Sequence, residues 1–434
     1  MTHVQSEIDK VIGNRMFLEH VLVLVGVLCL TCVTQTLPEL HTDTGHTEYA
    51  ILFDAGSSGT RMEIYQFFAS GPSLQPSDVL ELSPSPHKVE PGISDLADDP
   101  SQVEAYMMPL LESAQKTIPE DKQALTPIFL LATAGMRLLP EDQADAILNE
   151  VRKLFNDKDK CPFLFKDDND ARIISGKAEA IYSWVTVNFL AGIFGSKATS
   201  FGSLDLGGAS HQNAWENNNN PDVMVIEVAG RNYSIFSRSY LGFGQDQARE
   251  RYLGFLAQRA NCAENSECVV KSPCHNKGFK ESLTFGDQES IFEGTAQVKI
   301  CRQIIREMFF CQSPDLQKCP FSDQPKLKGN FYGFSAFYYV LTGIEAVCSD
   351  CENNKVTPKK IKSSSKLFCE TDYDELTDPY AKDNCFGGNY IYELLTAGYS
   401  LGQYKRIRVT NSLNGFNLGW TLGGVLHNTG ILNE

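Results

Sequence analysis

The chain has no basic surplus to offer a nucleic acid. Its 434 residues carry 38 lysines and arginines against 54 aspartates and glutamates, a formal charge of −16. No run of cations interrupts that acidity, so a phosphodiester backbone is excluded as a partner. A small polyphosphate is not excluded, because backbone amides and a divalent cation can supply the attraction that side chains do not. Long hydrophobic stretches are also missing. The one apolar run, VLVLVGVLCLTCV at Val21–Val33, has 13 residues, short of the roughly 20 that a spanning helix needs. It suits the apolar segment of a signal peptide better, with a retained signal anchor as the alternative. No second such run occurs, and no C-terminal anchor is expected. Histidine is sparse, and none stands near CSDC, the C-x-x-C at Cys348–Cys351, which disfavours zinc.

Cysteine itself is not sparse. Of 13, ten fall between Cys262 and Cys385, while Cys161 stands alone. Clustering of this kind in an exported chain reads as disulfides. The sequon Asn232-Tyr-Ser234 fits the same compartment. Residues 1–36 are read as signal peptide or anchor and 37–48 as a polar linker.

From Tyr49 strand-like and helical runs alternate, which predicts an α/β fold around central sheets. YAILFD and MEIYQFF read as a hairpin, PIFLLATAG as a buried strand, and PEDQADAILNEVRKLF as a helix opened by Pro140. VMVIEVAGRNYSIFSRSYL reads as a strand and GQDQARERYLGFLAQRA as a helix. Residues 260–330 and KVTPKKIKSSSK are expected to be loops and insertions.

One pattern occurs twice. FDAGSSGT at 53–60 and LDLGGAS at 204–210 each run from an apolar residue into Asp-x-Gly, with the aspartates 151 residues apart. Backbone amides reach a polyphosphate only where side chains do not intervene, hence Gly56, Gly59, Gly207 and Gly208. Ser57, Ser58, Thr60 and Ser210 would add hydroxyls. A carboxylate at each loop mouth would repel phosphate directly, but it can hold the water shell of Mg²⁺ or Ca²⁺. Asp54 and Asp205 therefore read as a pair gripping one hydrated ion, on two duplicated loops facing each other across a cleft.

Five ordered motifs extend this reading: DAGSSGTR (54–61), ATAGMRLLP (132–140), SGKAEAIYSWVTVNFLAG (175–192), LDLGGASHQ (204–212) and WTLGG (420–424). On these the chain resembles the ectonucleoside triphosphate diphosphohydrolases, or apyrases, from about Tyr49 to the end. The resemblance implies a two-lobed actin-like (ribonuclease H-like) fold around a nucleotide cleft. Lobe I would span 49–174, completed by 412–434, and lobe II would span 175–411. It implies hydrolysis of nucleoside di- and triphosphates to monophosphate and orthophosphate, dependent on Ca²⁺ or Mg²⁺. By position it makes Asp54 and Asp205 the holders of the metal's waters. Ser57, Ser58, Gly59, Thr60, Thr133, Gly207, Gly208 and Ala209 match phosphate contacts. Glu179 matches the base that activates water, with Ser210 and Gln212 orienting it. Tyr339, in GFSAFYYV, matches the aromatic that stacks on the base. Arg61 and Arg137 fit inter-motif ion pairs equally well.

The resemblance is nearer to the soluble, lumenal branch, which often prefers diphosphates, and it implies the disulfides Cys274–Cys301 and Cys369–Cys385. Cys262–Cys268, Cys311–Cys319 and Cys348–Cys351 are further candidate pairs. Ala178, Ala180 and His211 depart from the family pattern. Ala180 could crowd the substrate, and His211 could add pH dependence near neutrality. These departures motivate the alternative of a nucleotide-binding protein with little hydrolysis. The expected product is a secreted or lumenal enzyme, monomeric or weakly oligomeric, with a single N-terminal membrane anchor as the alternative.

Overall fold

The computed structural model describes residues 47–68, 74–260, 268–286, 288–310, 320–348, 354–378 and 380–431. The run Val21–Val33 and Cys262, Cys311, Cys319 and Cys351 lie outside them. Among the described residues no helix is long and apolar enough to cross a membrane.

Two sheets carry the fold, and one repeats the plan of the other. The first orders its strands β3 (Val79–Leu82), β2 (Gly59–Phe68), β1 (Thr47–Gly56), β5 (Ile128–Ala132) and β6 (Ala171–Ile173), with β4 (Lys88–Val89) on β2. Here β1 and β2 form the expected hairpin, and β5 runs parallel to β1. In the second sheet β7 (Gly202–Leu206) and β8 (Ser210–Glu216) form the matching hairpin. β14 (Phe331–Ser335) runs parallel to β7, as β5 does to β1. β9 (Met224–Val228), β10 (Arg231–Leu241), β15 (Lys355–Val356) and β16 (Ile407–Val409) complete that sheet. The duplicated motif is thus a duplicated strand plan, and each Asp-x-Gly sits where the first strand of its sheet ends.

Strand alternation sends side chains to both faces. Ile51, Phe53 and Ala55 pack with helices Val103–Thr117 and Glu141–Asn156, the latter opened by Pro140 as expected. Ala50 and Leu52 join a cluster shared with Tyr233 and Ile235 of the other sheet, bridged by helices Gly176–Leu190 and Thr421–Thr429. The outer face of the larger sheet packs under Gln245–Ala260, Val298–Phe309, Ala336–Gly343 and Asn384–Glu393. We propose that the lobes divide near residue 175, where the bridging helix begins.

That bridge is tight. A Cβ on Gly423 would lie 2.1 Å from the Tyr182 carbonyl oxygen, and the Gly423 amide donates to Thr186 Oγ1 at 2.8 Å. The neighbour is rigid helix backbone, so Gly423→Ala should destabilise the protein by roughly 1–3 kcal/mol through overpacking. A fall in the denaturation midpoint at unchanged slope is the measurement.

Three expectations need correction. VMVIEVAGRNYSIFSRSYL is a hairpin, β9 to β10, turned at Ala229 and Gly230, both at positive φ. Residues 260–330 include a three-stranded sheet, β11 (Cys268–Ser272), β12 (Lys280–Phe285) and β13 (Gln288–Gly294), and the helix Val298–Phe309. KVTPKKIKSSSK opens the helix Pro358–Glu370, because Thr357 accepts from the Lys360 amide and Pro358 fills its first position.

Candidate active site

The two glycine loops meet. Ser57 Oγ lies 3.0 Å from the position a Cβ on Gly208 would occupy. Behind the first loop, added Cβ atoms on Gly92 and Gly135 would lie 2.5 and 2.9 Å from Ser57 backbone atoms. Glycine at both positions lets the loop and its neighbours close up. Behind the second loop, a Cβ on Gly244 would lie 2.3 Å from the Gly208 carbonyl.

Three carboxylates surround this meeting point. Asp54 lies two residues before the end of β1, with Oδ1 buried and without a hydrogen-bond partner. Burial pushes its pKa up to about 7; Arg61 opposes that and Asp205 reinforces it. Asp205 accepts from Ser335 Oγ at 2.7 Å and Ser183 Oγ at 3.4 Å, and burial raises it to about 6 against those bonds. Glu179 sits in the first turn of Gly176–Leu190, a helix capped by Ser175 Oγ, which accepts from the Ala178 amide. Only 6% exposed, Glu179 pairs through Oε2 with Arg137. Burial raises it to about 8; Arg137 pulls it down, and Asp205 and Asp54 push it up. The three acids therefore feel one another's charge. Among the described residues no three acidic, histidine or cysteine side chains converge to hold a bare ion. A hydrated ion gripped by two carboxylates asks for less convergence than that, and the orphaned Asp54 oxygen is the group it would satisfy.

Gln212 is fixed on both sides. Its Nε2 donates to Ser210 Oγ at 2.7 Å and to Ser239 Oγ at 3.1 Å, Ser239 being its cross-strand partner on β10. With both N–H groups engaged, Oε1 is left as an acceptor. Ser239→Ala should leave KM nearly unchanged and lower kcat several-fold, because it frees the amide to rotate. Rescue by Ser239→Thr would separate positioning from packing.

Thr133 lies beside the first loop, its amide donating to the Ala55 carbonyl at 3.1 Å. Thr60 is fully buried and accepts from the Tyr106 hydroxyl at 3.0 Å, so the hydroxyl expected to face phosphate is already engaged. Tyr339 is 63% exposed on the helix that follows Ser335. Ala180 is fully buried in the apolar cluster with Leu52 and Trp184, which removes the expected crowding. His211 lies on the far face of β8, stacked 4.8 Å from Tyr240, and burial holds its pKa down at about 3. It does not titrate near neutrality, contrary to expectation. Sequence reading missed Ser183, Ser239 and Ser335, whereas the inter-motif ion pair it allowed for Arg137 forms, with Glu179.

The disulfides Cys274–Cys301 and Cys369–Cys385 form, with Cα separations of 4.9 and 5.0 Å. Cys268 and Cys348 are also disulfide-bonded, so Cys348 has no thiolate for zinc. Cys161 is a buried free thiol.

Residues 40–433 match the GDA1/CD39 (nucleoside phosphatase) family. The chain belongs to that family. It is an enzyme of the nucleoside phosphatase class. Within the GDA1/CD39 family it is 30% identical to ectonucleoside triphosphate diphosphohydrolase 1 of Mus musculus, covering 96% of this chain and 89% of that one. It is 26% identical to the nucleoside-diphosphatase mig-23 of Caenorhabditis elegans, over 90% of this chain and 79% of that one. Among solved structures, nucleoside triphosphate hydrolases from Neospora caninum align with a TM-score of 0.66 at 13% identity, over 88% and 92% of the two chains. An Aquifex aeolicus Ppx/GppA protein aligns at 0.52 and 13%, over 90% and 100%. The fold is the expected two-lobed, actin-like α/β fold.

Proposed function

We propose that the enzyme hydrolyses nucleoside di- and triphosphates to the monophosphate and orthophosphate, dependent on Mg²⁺ or Ca²⁺, within the secretory pathway or outside the cell. The observation that carries this is the approach of the Ser57 and Gly208 loops beside three buried carboxylates. Backbone amides of Ser57, Ser58, Gly59 and Thr60, with those of Gly208 and Ala209, would hold the phosphates, while the Gly207 amide donates to the Ser210 carbonyl at 3.0 Å and so closes the second loop. Thr133 would contact the same group from behind the first loop. Asp54 and Asp205 would hold the divalent ion through its waters; bound there, it would neutralise charge on the phosphates.

Glu179 Oε1 would take a proton from the attacking water, with Arg137 aiming the carboxylate and pulling its pKa down against burial. Gln212 Oε1 would accept the water's other hydrogen, and Ser210 would fix Gln212. The water attacks phosphorus in line, and the bridging oxygen leaves with the nucleotide. Tyr339 would offer its face to the base, adding affinity with little selectivity because every base has a π-face. Export is supported by the disulfides.

Phosphate release from ATP, ADP, UDP and GDP, with Ca²⁺ or Mg²⁺ and then with chelator, is the direct test. Release that survives chelation would remove the cation from the reading. Binding without release in every condition would favour the nucleotide-binding alternative.

A further inference from the structure

The sequon Asn232-Tyr-Ser234 lies at the start of a strand, away from the two glycine loops. Asn232 is the second residue of β10, just after the Ala229–Gly230 turn, and lies opposite Glu227 on β9. Tyr233 beside it is fully buried, whereas Asn232 is exposed, so strand alternation turns the asparagine outward. Glu227, Ser234 and Val225 share its face by register. β9 is the terminal strand of the seven-stranded sheet. Among the described residues no further strand pairs with it, and it shows large apolar side chains: Val225, 60% exposed, on the Asn232 face and Met224, 51% exposed, on the other. An edge strand that shows apolar side chains is a template for pairing with another chain.

We infer that Asn232 is N-glycosylated and that the glycan shields this edge. The inference rests on the export reading above, because the acceptor must meet a lipid-diphosphate-linked oligosaccharide in an oxidising lumen. There the Asn232 Nδ2 loses one proton and bonds to the sugar's C1. The C1–O bond to the diphosphate breaks, and the lipid diphosphate leaves with that bond's electron pair. Distance protects catalysis. Leu241, at the other end of β10, pairs with Ser210 at the cleft. Asn232 is nine residues away along the strand, on the order of 30 Å, so the glycan stands clear of the substrate.

The test expresses the full chain in a eukaryotic secretory host and compares it with Asn232→Gln and Ser234→Ala. Expected are a gel-mobility shift that collapses on treatment with a peptide N-glycosidase and, by peptide mass spectrometry, conversion of the asparagine to aspartate. Both variants should run at the deglycosylated position, retain kcat/KM, and self-associate at concentrations where the native chain is monomeric. Agreement between the two assigns the effect to the sugar, since the second keeps the asparagine. Unmodified Asn232 overturns the inference wherever the chain is found. Protease protection of the chain in microsomes then shows whether export fails with it. Glycosylated native chain with monomeric variants overturns the shielding role.

Discussion

Replacing Glu179 with glutamine should lower the rate of phosphate release by about 10²–10⁴-fold, the range a positioned general base contributes. Nucleotide affinity should change little. The swap keeps the side chain's shape but removes its ability to take a proton. Arg137 sharpens the test. With that guanidinium paired to it, Glu179 still stands at about 8, because burial outweighs the pairing. Loss of Arg137, as in Arg137→Met, should raise the carboxyl further and move the rise of kcat to more alkaline pH. A pH–rate profile reads this shift; loss of folding alone would lower activity without moving the limb. Glu179→Gln with near-native turnover would remove Glu179 as the base and send the search to another acceptor.

The parts of this arrangement differ in how visible they are in the sequence. The loops are legible because their physics is local: a strand, a carboxylate, then residues too small to block an approaching anion. The strand plan follows, since alternation and glycine turns are short-range signals. Glu179 is different. Its helix is nearly uniformly apolar, and by composition the carboxylate could face solvent; only the resemblance points to it. Ser239 is not legible at all, because register places it across from Gln212 and register is set by the whole sheet. Ser335 reaches Asp205 for the same reason, through the parallel pairing of β14 with β7. The helix Pro358–Glu370 was hidden by Lys and Ser composition, although Ile361, Ser365 and Cys369 repeat every four residues on its buried side. His211 shows the converse failure: a titratable residue beside a motif is functional only if its strand face is the cleft face.

The second large effect concerns stability in the absence of a divalent cation. Burial raises Asp54, Asp205 and Glu179 to about 7, 6 and 8, whereas in an unfolded chain such groups titrate near 4. Between roughly pH 4 and 8 the folded protein therefore binds more protons than the unfolded one, so stability falls as pH rises. The contribution is fully present below about pH 4 and lost above about 8. His211 acts with the opposite sign. Its pKa is depressed from about 6.5 to about 3, so its share of stability is present at neutral pH and lost on acidification. Above pH 6.5 it is neutral in both states, and the acids are left to dominate. With chelator, the melting temperature should drop by several degrees from pH 6.5 to 8.5, since one proton bound only by the folded state is worth about 1.4 kcal/mol for each pH unit crossed. Glu63, raised to about 8 by burial and Glu81, adds to the same slope from outside the cleft. The cation separates the two contributions. Added Mg²⁺ or Ca²⁺ should restore stability, and by more at pH 8.5 than at 6.5, because the ion competes with protons for Asp54 and Asp205. In an Asp54→Asn, Asp205→Asn double variant the cation increment should vanish, while the slope due to Glu63 persists. An increment that survives the double variant, or does not grow with pH, would place the ion away from these two carboxylates.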